Sequence, residues 1–368
     1  MLEGDYMKVL IATGGTGGHI YPAISLADYL AKNYKDNSFM FVGNADRMES
    51  TIIPQLGYRF LGIEAAKFNG ADNKIKALKT LYKSYQECIK VVDSYQPDII
   101  VGFGGYVTVP VIMAGVHNGV KTVIHEQNSF AGMANKALSH FANKVVTVYP
   151  SVNDSFPKRK VVNLGNPRES AVLDLVVDKR NLEQFGFNIK KKTLLIVMGS
   201  LGSVTVNDRM VEILNRMKNK DYNVIYVTGK NNYETMIAQV SESDNVRIVP
   251  YIDQLKIASC CDLIISRGGA TSACEYMALG LPSIIIPSPY VTNNHQYYNA
   301  KAMVDNGASV LIEEKDLEVG RLIDTVSDLL GDDMKLQDMS KAARAMSHPY
   351  AAREMSELLY KIAGIEHE

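Results

Sequence analysis

The sequence predicts an α/β protein built from two doubly wound domains of similar size, their ligand-bearing edges facing across a cleft. Three observations carry this. Short apolar runs alternate with segments of helical periodicity along nearly the whole chain, the signature of parallel sheets with crossover helices. Several of the apolar runs end in glycine or in polar clusters, at the edge where open α/β sheets place their ligands. The pattern occurs twice, on either side of a charged stretch from Glu169 to Asn188 that lacks a clear strand. A chain of 368 residues, 46% hydrophobic and 21% charged, suits about two globular domains.

The bulk properties exclude some classes. A net charge of -1 argues against general nucleic-acid binding. The four cysteines, Cys88, Cys260, Cys261 and Cys274, have no metal-ligand spacing. The adjacent pair lies in an apolar stretch and reads as buried free thiols of a reducing compartment. No apolar run approaches the roughly 20 residues needed to span a bilayer. The first seven residues lack a basic start and an apolar core, so no signal peptide is expected, and Met7 is an alternative start. These features point to the cytoplasm.

In the first half, residues 8 to 13 read as a buried strand. Gly14-Gly15-Thr16-Gly17-Gly18-His19 follows, then Ile20, Ile24, Ala27 and Leu30 at helical spacing, with Pro22 near the helix start. The glycines are paired rather than spaced as GxGxxG, so this is not the dinucleotide fingerprint. Four glycines let a ligand approach the backbone. His19, where the loop enters the helix, reads either as a helix cap or as a general base. Further strands are expected at 39–42 before Gly43, at 98–103 before Gly104-Gly105-Tyr106, at 121–124 before His125-Glu126-Gln127-Asn128, and at 144–148. Tyr106 and His125 are core residues or ligand contacts. The polar run they neighbour is not one a packed core would ask for. A helix between Lys67 and Lys90 carries an apolar stripe of Ile75, Leu78, Leu81, Tyr82, Tyr85 and Ile89. Lys74, Lys76, Lys79 and Lys83 flank it. That is the pattern of a core-facing surface helix or of a membrane-surface segment; the first is the commoner.

The second half repeats the design. Strands are expected at 193–198, before Gly199-Ser200-Leu201-Gly202 and a helix from about Asn207, then at 224–228, 246–249, 263–265, 283–286 and 309–311. Ser266-Arg267-Gly268-Gly269 leads into a helical pattern stopped by Gly280 and Pro282. Strand, glycine turn and helix aim backbone N–H groups and a helix N-terminus at one spot, which favours phosphate. Glu275, one turn into that helix, can accept from two neighbouring hydroxyls, as a ribose presents. The alternative is an ordinary βα turn whose glycines only permit close packing. Asn294 to Lys301 begins another helix, and residues 322 to 365 read as helices interrupted near His348-Pro349. The domain boundary is placed near Pro167, giving domains 7–166 and 167–344.

Seven motifs stand in an order that resembles the MurG family: Gly14 to His19, Gly104 to Val107, His125 to Asn128, Gly165 to Arg168, Gly199 to Gly202, Ser266 to Ala270, and Asn294 to Ala300. These are the UDP-N-acetylglucosamine:N-acetylmuramyl-(pentapeptide) pyrophosphoryl-undecaprenol N-acetylglucosamine transferases of bacterial cell-wall synthesis. The resemblance runs from about Met7 to the C-terminal helices. It implies the GT-B fold of two Rossmann-like domains, with residues 345–368 packing back on the first. It further implies inverting transfer of N-acetylglucosamine from UDP-N-acetylglucosamine to the 4-hydroxyl of the muramyl sugar of lipid I, giving lipid II. This is a step of peptidoglycan synthesis, and through it of cell shape, cell division and the cell cycle.

By the same resemblance, His19 is the catalytic base. The donor is held by Thr16, Gly17, Gly18, Asn128, Arg168, Ser200, Ile252, Ala270, Thr271, Ser272, Ala273, Cys274, Glu275 and Gln296. Tyr106 and His125 lie on the acceptor side. No cofactor and no obligatory metal are implied. The family acts peripherally at the cytoplasmic face of the membrane, in association with cell-wall synthesis proteins. That makes Ile75, Leu78, Leu81, Tyr82, Lys74 and Lys79 a membrane patch. Rival readings are a GT-B transferase with another lipid acceptor such as diacylglycerol, a nucleotide-sugar epimerase, and a UDP-sugar sensor.

Overall fold

Strands buried on both faces need no polar alternation, and the strands here are short runs of aliphatic residues. The computed structural model describes residues 6–34, 36–64, 74–198, 204–241 and 243–366, without the side chains of Lys74, Val204, Thr205, Asn207 and Asp208. The chain forms two units, Met1–Ala171 with His348–Glu368, and Val172–Ser347.

In the first unit the described strands are β1 (Lys8–Ala12), β2 (Ser38–Asn44), β3 (Arg59–Ile63), β4 (Ile99–Gly102), β5 (Lys121–Glu126), β6 (Lys144–Thr147) and β7 (Val161–Asn163). All pair in parallel, in the order β3-β2-β1-β4-β5-β6-β7. The chain winds outward from β1 to β3 and then crosses back to β4. The winding therefore reverses between β1 and β4, where Val9 aligns with Ile99 and Ala12 with Gly102. That reversal opens a crevice at the carboxyl ends of the two strands.

Alternation along β1 divides the core in two. Val9 and Ile11 face a cluster with Leu26 and Leu30 of α1 (Gly17–Asn33) and with Met355, Leu359 and Tyr360 of α13 (Ala351–Ala363). Leu10 and Ala12 face the other cluster, with Val111 and Ile112 of α4 (Thr108–His117) and Cys88 and Val92 of α3 (Lys74–Tyr95). α13 is thus part of the first unit's core. Tyr360 is fully buried, its ring 4.8 Å from that of Tyr34, and its hydroxyl accepts from Asn37 Nδ2 at 2.8 Å.

The second unit has β8 (Thr193–Val197), β9 (Asn223–Val227), β10 (Val246–Val249), β11 (Leu263–Ser266), β12 (Ser283–Ile285) and β13 (Ser309–Leu311), parallel in the order β10-β9-β8-β11-β12-β13. Here the winding reverses between β8 and β11. α6 (Val204–Met217) begins three residues before the expected Asn207. Two 3-10 turns, Pro167–Val172 and Lys179–Phe185, lie in residues 167–188. The C-terminal helical stretch is α11 (Val319–Gly331), α12 (Asp333–Ala345) and α13, with His348-Pro349 in the break before α13.

Three elements escape a reading by periodicity. β3 and β7 are short edge strands without a continuous apolar run, and α2 (Glu49–Gln55) holds only seven residues with Pro54 inside.

Replacing Tyr360 with alanine removes a filled aromatic site between α1 and the sheet. We expect a loss of about 3–5 kcal/mol, read as a lower urea midpoint for the first unit's unfolding transition.

Candidate active site

In the first unit, three connections meet at the reversal between β1 and β4. The loop after β1 runs Gly14 to Thr16, and α1 starts at Gly17 with Thr16 as its cap residue; the Thr16 side chain makes no bond to the helix. His19 lies in the first turn, half-buried. Its Nδ1 is 2.9 Å from the Gly14 carbonyl oxygen. A carbonyl only accepts, so Nδ1 carries the hydrogen, and Nε2 of the neutral ring is the lone-pair nitrogen.

The loop after β4 closes on this ring. Gly104 and Gly105 both have left-handed backbones, φ 91° and 84°. A Cβ on Gly104 would stand 3.1 Å from His19 Nε2, and one on Gly105 would stand 2.8 Å from the Gly14 carbonyl oxygen. Glycine is needed at both positions for conformation and for room. Tyr106, next in the chain, is exposed.

At the end of β5 the structure decides between the two readings of His125. His125 is fully buried, its Nε2 donating to the Gly165 carbonyl at 3.0 Å. It is therefore a core residue beneath the site rather than an exposed contact. Burial pushes its ring down to about 4, against the opposing pull of the Gly165 carbonyl. Glu126 is buried as well. It accepts from the backbone N–H groups of Asn128 (3.1 Å) and Gly132 (2.9 Å) and from Asn135 Nδ2 (2.9 Å). Asn128 is half-buried, and its Nδ2 also reaches Glu126, at 3.2 Å. Buried polar groups must be satisfied, and this network does that while fixing the backbone at Asn128. Arg168 is set by its own N–H on Asn166 Oδ1 at 2.9 Å, with its guanidinium 5.7 Å from the centre of the Tyr21 ring, two residues beyond His19.

One residue of this loop was not anticipated. Glu49, at the start of α2, is fully buried. Its Oε1 accepts from Gly15 N at 3.1 Å, from Asn44 N at 3.0 Å and from Asn44 Nδ2. A Cβ on Gly14 would collide with Glu49 Oε1, and one on Gly43 would stand 2.8 Å from Glu49 Cγ. The two glycines beside β1 and β2 are the local signal that a side chain enters there.

In the second unit, the turn after β11 leads into α9 (Ala270–Leu279), capped by Gly269. Helix geometry leaves the first-turn N–H groups without intrahelical acceptors, which favours an anion there. Ala270, Thr271, Ala273, Cys274 and Glu275 are buried and Ser272 is half-buried. Glu275 Oε2 accepts from Gln254 Nε2 at 3.3 Å. A Cβ on Gly268 would collide with the Gln296 carbonyl oxygen, so this glycine lets the start of α10 (His295–Asp305) lie against the turn. Asn299 Nδ2 donates to the Gly268 carbonyl at 3.0 Å. Gln296 Oε1 accepts from Ser288 N at 2.8 Å, which orients Nε2 as a donor. Arg267 is buried and paired with Glu314, Nη1 to Oε2 2.7 Å, and also donates to the Ile286 carbonyl at 3.0 Å. These charge-assisted bonds hold Arg267 at the start of the turn.

The Ile252 side chain belongs to the core beneath β8 and β9. Ser200 lies outside the described residues. Arg267 and Asn299 fall inside motifs named from the sequence, but their supporting roles, like that of Gln254, emerge only when the turn is folded.

On α3 the expected apolar stripe divides. Ala77, Ser84, Cys88 and Val92 face the core, with Leu81, Tyr85 and Ile89 partly buried. Ile75, Leu78 and Tyr82 are exposed, at 73%, 58% and 64%. Lys76 and Lys79 beside them are exposed too, while the Lys74 side chain lies outside the described residues. Among the described residues, no helix is long and apolar enough to cross a membrane.

Two doubly wound units, each gathering polar groups and glycine turns at its winding reversal, define a GT-B-type glycosyltransferase fold. Residues 9–147 match the family model of the glycosyltransferase family 28 N-terminal domain, and residues 193–355 that of the family 28 C-terminal domain. The chain belongs to glycosyltransferase family 28. It is 39% identical over 365 residues to the UDP-N-acetylglucosamine--N-acetylmuramyl-(pentapeptide) pyrophosphoryl-undecaprenol N-acetylglucosamine transferase of Bacillus cytotoxicus, covering 97% of this chain and 99% of that one. Its structure is similar to the crystal structure of Acinetobacter baumannii MurG, with a TM-score of 0.78 and 26% identity over 96% of this chain and 99% of that one. The UDP-N-acetylglucosamine 2-epimerase of Neisseria meningitidis, solved with UDP-N-acetylglucosamine bound, has a TM-score of 0.69 at 17% identity over 96% of this chain and 100% of that one. At that identity the likeness is one of fold.

The His125 ring makes stability depend on pH with a definite sign. Unfolded, it titrates near 6.5; folded, near 4. Above 6.5 neither state takes up the proton. As pH falls from about 6.5 towards 4, only the unfolded chain does, so stability falls, by up to about 3 kcal/mol. Urea unfolding from pH 7.5 to 4.5 is expected to show a steeper loss in the wild type than in His125→Gln.

Proposed function

We propose that this chain is an inverting N-acetylglucosaminyltransferase. It moves N-acetylglucosamine from UDP-N-acetylglucosamine to the 4-hydroxyl of the muramyl sugar of lipid I, giving lipid II and UDP in peptidoglycan synthesis. One observation carries this reading: 39% identity to a transferase of that name over 97% of the chain. The fold alone is shared with epimerases and does not discriminate; 39% identity along nearly the whole of both chains does.

The geometry supports a role for each group. His19 keeps its hydrogen on Nδ1, so Nε2 accepts the proton of the attacking hydroxyl. One displacement at the anomeric carbon inverts it. The leaving UDP gathers negative charge, which the first turn of α9 and Arg168 and Ser200 offset; no obligatory metal enters the reading. Glu275 takes the ribose hydroxyls, and the Ile252 backbone reads the uracil edge. Thr16, Gly17, Gly18, Asn128 and Gln296 hold the sugar, and Tyr106 borders the acceptor.

The acceptor is lipid-linked, so the chain is expected to work peripherally at the cytoplasmic face of the membrane. Exposed Ile75, Leu78 and Tyr82 with Lys76 and Lys79 suit shallow insertion beside anionic headgroups.

Transfer of labelled N-acetylglucosamine to a short-chain lipid I analogue tests the reaction. His19→Ala should lower kcat by about 10²–10⁴-fold while UDP affinity stays as in the wild type. No transfer by folded, UDP-binding wild type would overturn the assignment, and an unchanged rate in His19→Ala would remove the base. For the membrane, Ile75→Glu/Leu78→Glu should weaken co-sedimentation with anionic vesicles by about tenfold or more and leave transfer to a water-soluble acceptor unchanged. Equal vesicle binding by both proteins would exclude the patch.

A further inference from the structure

We infer that Glu49 is a positioning residue for His19, acting through the single peptide unit between Gly14 and Gly15; the inference rests on the reading of His19 as base. The N–H of that unit donates to Glu49 Oε1 at 3.1 Å, and the C=O of the same unit accepts from His19 Nδ1 at 2.9 Å. Carboxyl group, peptide and imidazole form one hydrogen-bonded chain ending at Nε2. A carboxylate hydrogen-bonded directly to a histidine fixes its tautomer and stabilises the imidazolium that forms when the ring takes a proton. Here the peptide stands between the two. A carboxylate at its N–H end polarises it, so its carbonyl becomes a better acceptor for Nδ1–H.

Two further observations favour this over simple loop packing. Burying a carboxyl group is costly, and Oε2 of Glu49 has no hydrogen-bond partner among the described residues; a neutral side chain would fill the space at lower cost. The chain also forgoes side chains at Gly14 and Gly43 to admit it. Of the groups that face the His19 ring from other elements, Gly104 and Gly105 carry no charge. His125 on β5, which repels a charged His19, is held neutral by burial at working pH. Glu49 on α2 is placed, through the Gly14–Gly15 peptide, to favour a positive ring.

The test is Glu49→Gln, alone and combined with His19→Ala. Glutamine keeps the acceptor for Gly15 N–H and removes the charge. We expect a kcat about tenfold lower, an unchanged KM for UDP-N-acetylglucosamine, and no further loss when the substitution is added to His19→Ala. Residues acting as one unit are non-additive in this way. In 15N-histidine spectra, His19 should be the Nδ1–H tautomer in the wild type and titrate at lower pH in Glu49→Gln. An Nε2–H tautomer in the wild type overturns the inference without any variant. So does Glu49→Gln with wild-type kcat and titration, or one that slows His19→Ala by the same factor as wild type. Absence of transfer by the wild type would sink the proposed reaction while leaving both spectroscopic results readable.

Discussion

The bond between His19 and the Gly14 carbonyl sets what the rest of the first unit must be. For the ring to lie back over its own loop, the chain after β1 must turn within a few residues, and the loop after β4 must pass close by. Gly104 and Gly105 answer that with left-handed backbones and no side chains. The winding reversal between β1 and β4 brings those two loops side by side. Beneath them, His125 holds the Gly165 carbonyl and Glu126 holds the backbone at Asn128. Residues that look like surface chemistry in the sequence are the buried supports of a small exposed set.

This explains which features were legible in the sequence. The parallel strands announce themselves because burial on both faces demands continuous aliphatic runs. The glycine loops do so because a backbone that must turn sharply or be approached closely leaves few alternatives to glycine. His19 stands out by sitting among four of them. Glu49 is far less visible: it opens a seven-residue helix containing a proline, preceded by an ordinary polar stretch, and its burial follows from the loop after β1 and the end of β2 meeting around it, with Gly14 and Gly43 as the faint trace. His125 was legible as a core residue or a ligand contact, and only the fold decides between them, because a polar run after a strand reads alike whether it faces a ligand or a hydrogen-bonded interior. Arg267, Gln254 and Asn299 support the second unit's turn through tertiary contacts that no local spacing encodes.

The α3 helix makes the same point about periodicity. Its apolar residues are too many for one face. Ala77, Ser84, Cys88 and Val92 meet the core, and the neighbouring stripe is tucked in at Tyr85 and Ile89 but left in solvent at Ile75, Leu78 and Tyr82. A stripe counted as one feature in the sequence is therefore two surfaces in the fold. Among the described residues of α3, the exposed large apolar side chains fall in its N-terminal part, beside Lys76 and Lys79.

Both units solve a shared electrostatic problem in related ways. An acid is buried near a glycine turn at the carboxyl edge of the sheet: Glu49 beneath the Gly14–Gly15 peptide, and Glu275 one turn into α9. Burial is unfavourable for either group in isolation. It is tolerable where N–H donors are at hand, Gly15 and Asn44 converging on the first and Gln254 reaching the second. Groups fixed in advance of the reaction need not reorganise when charge develops, which is where a preorganised site gains over water. The stability lost by burying acids at two winding reversals is offset by the aliphatic cores on either side of the sheets. The polar set stays confined to the carboxyl edges, where the topology leaves a crevice open in each unit.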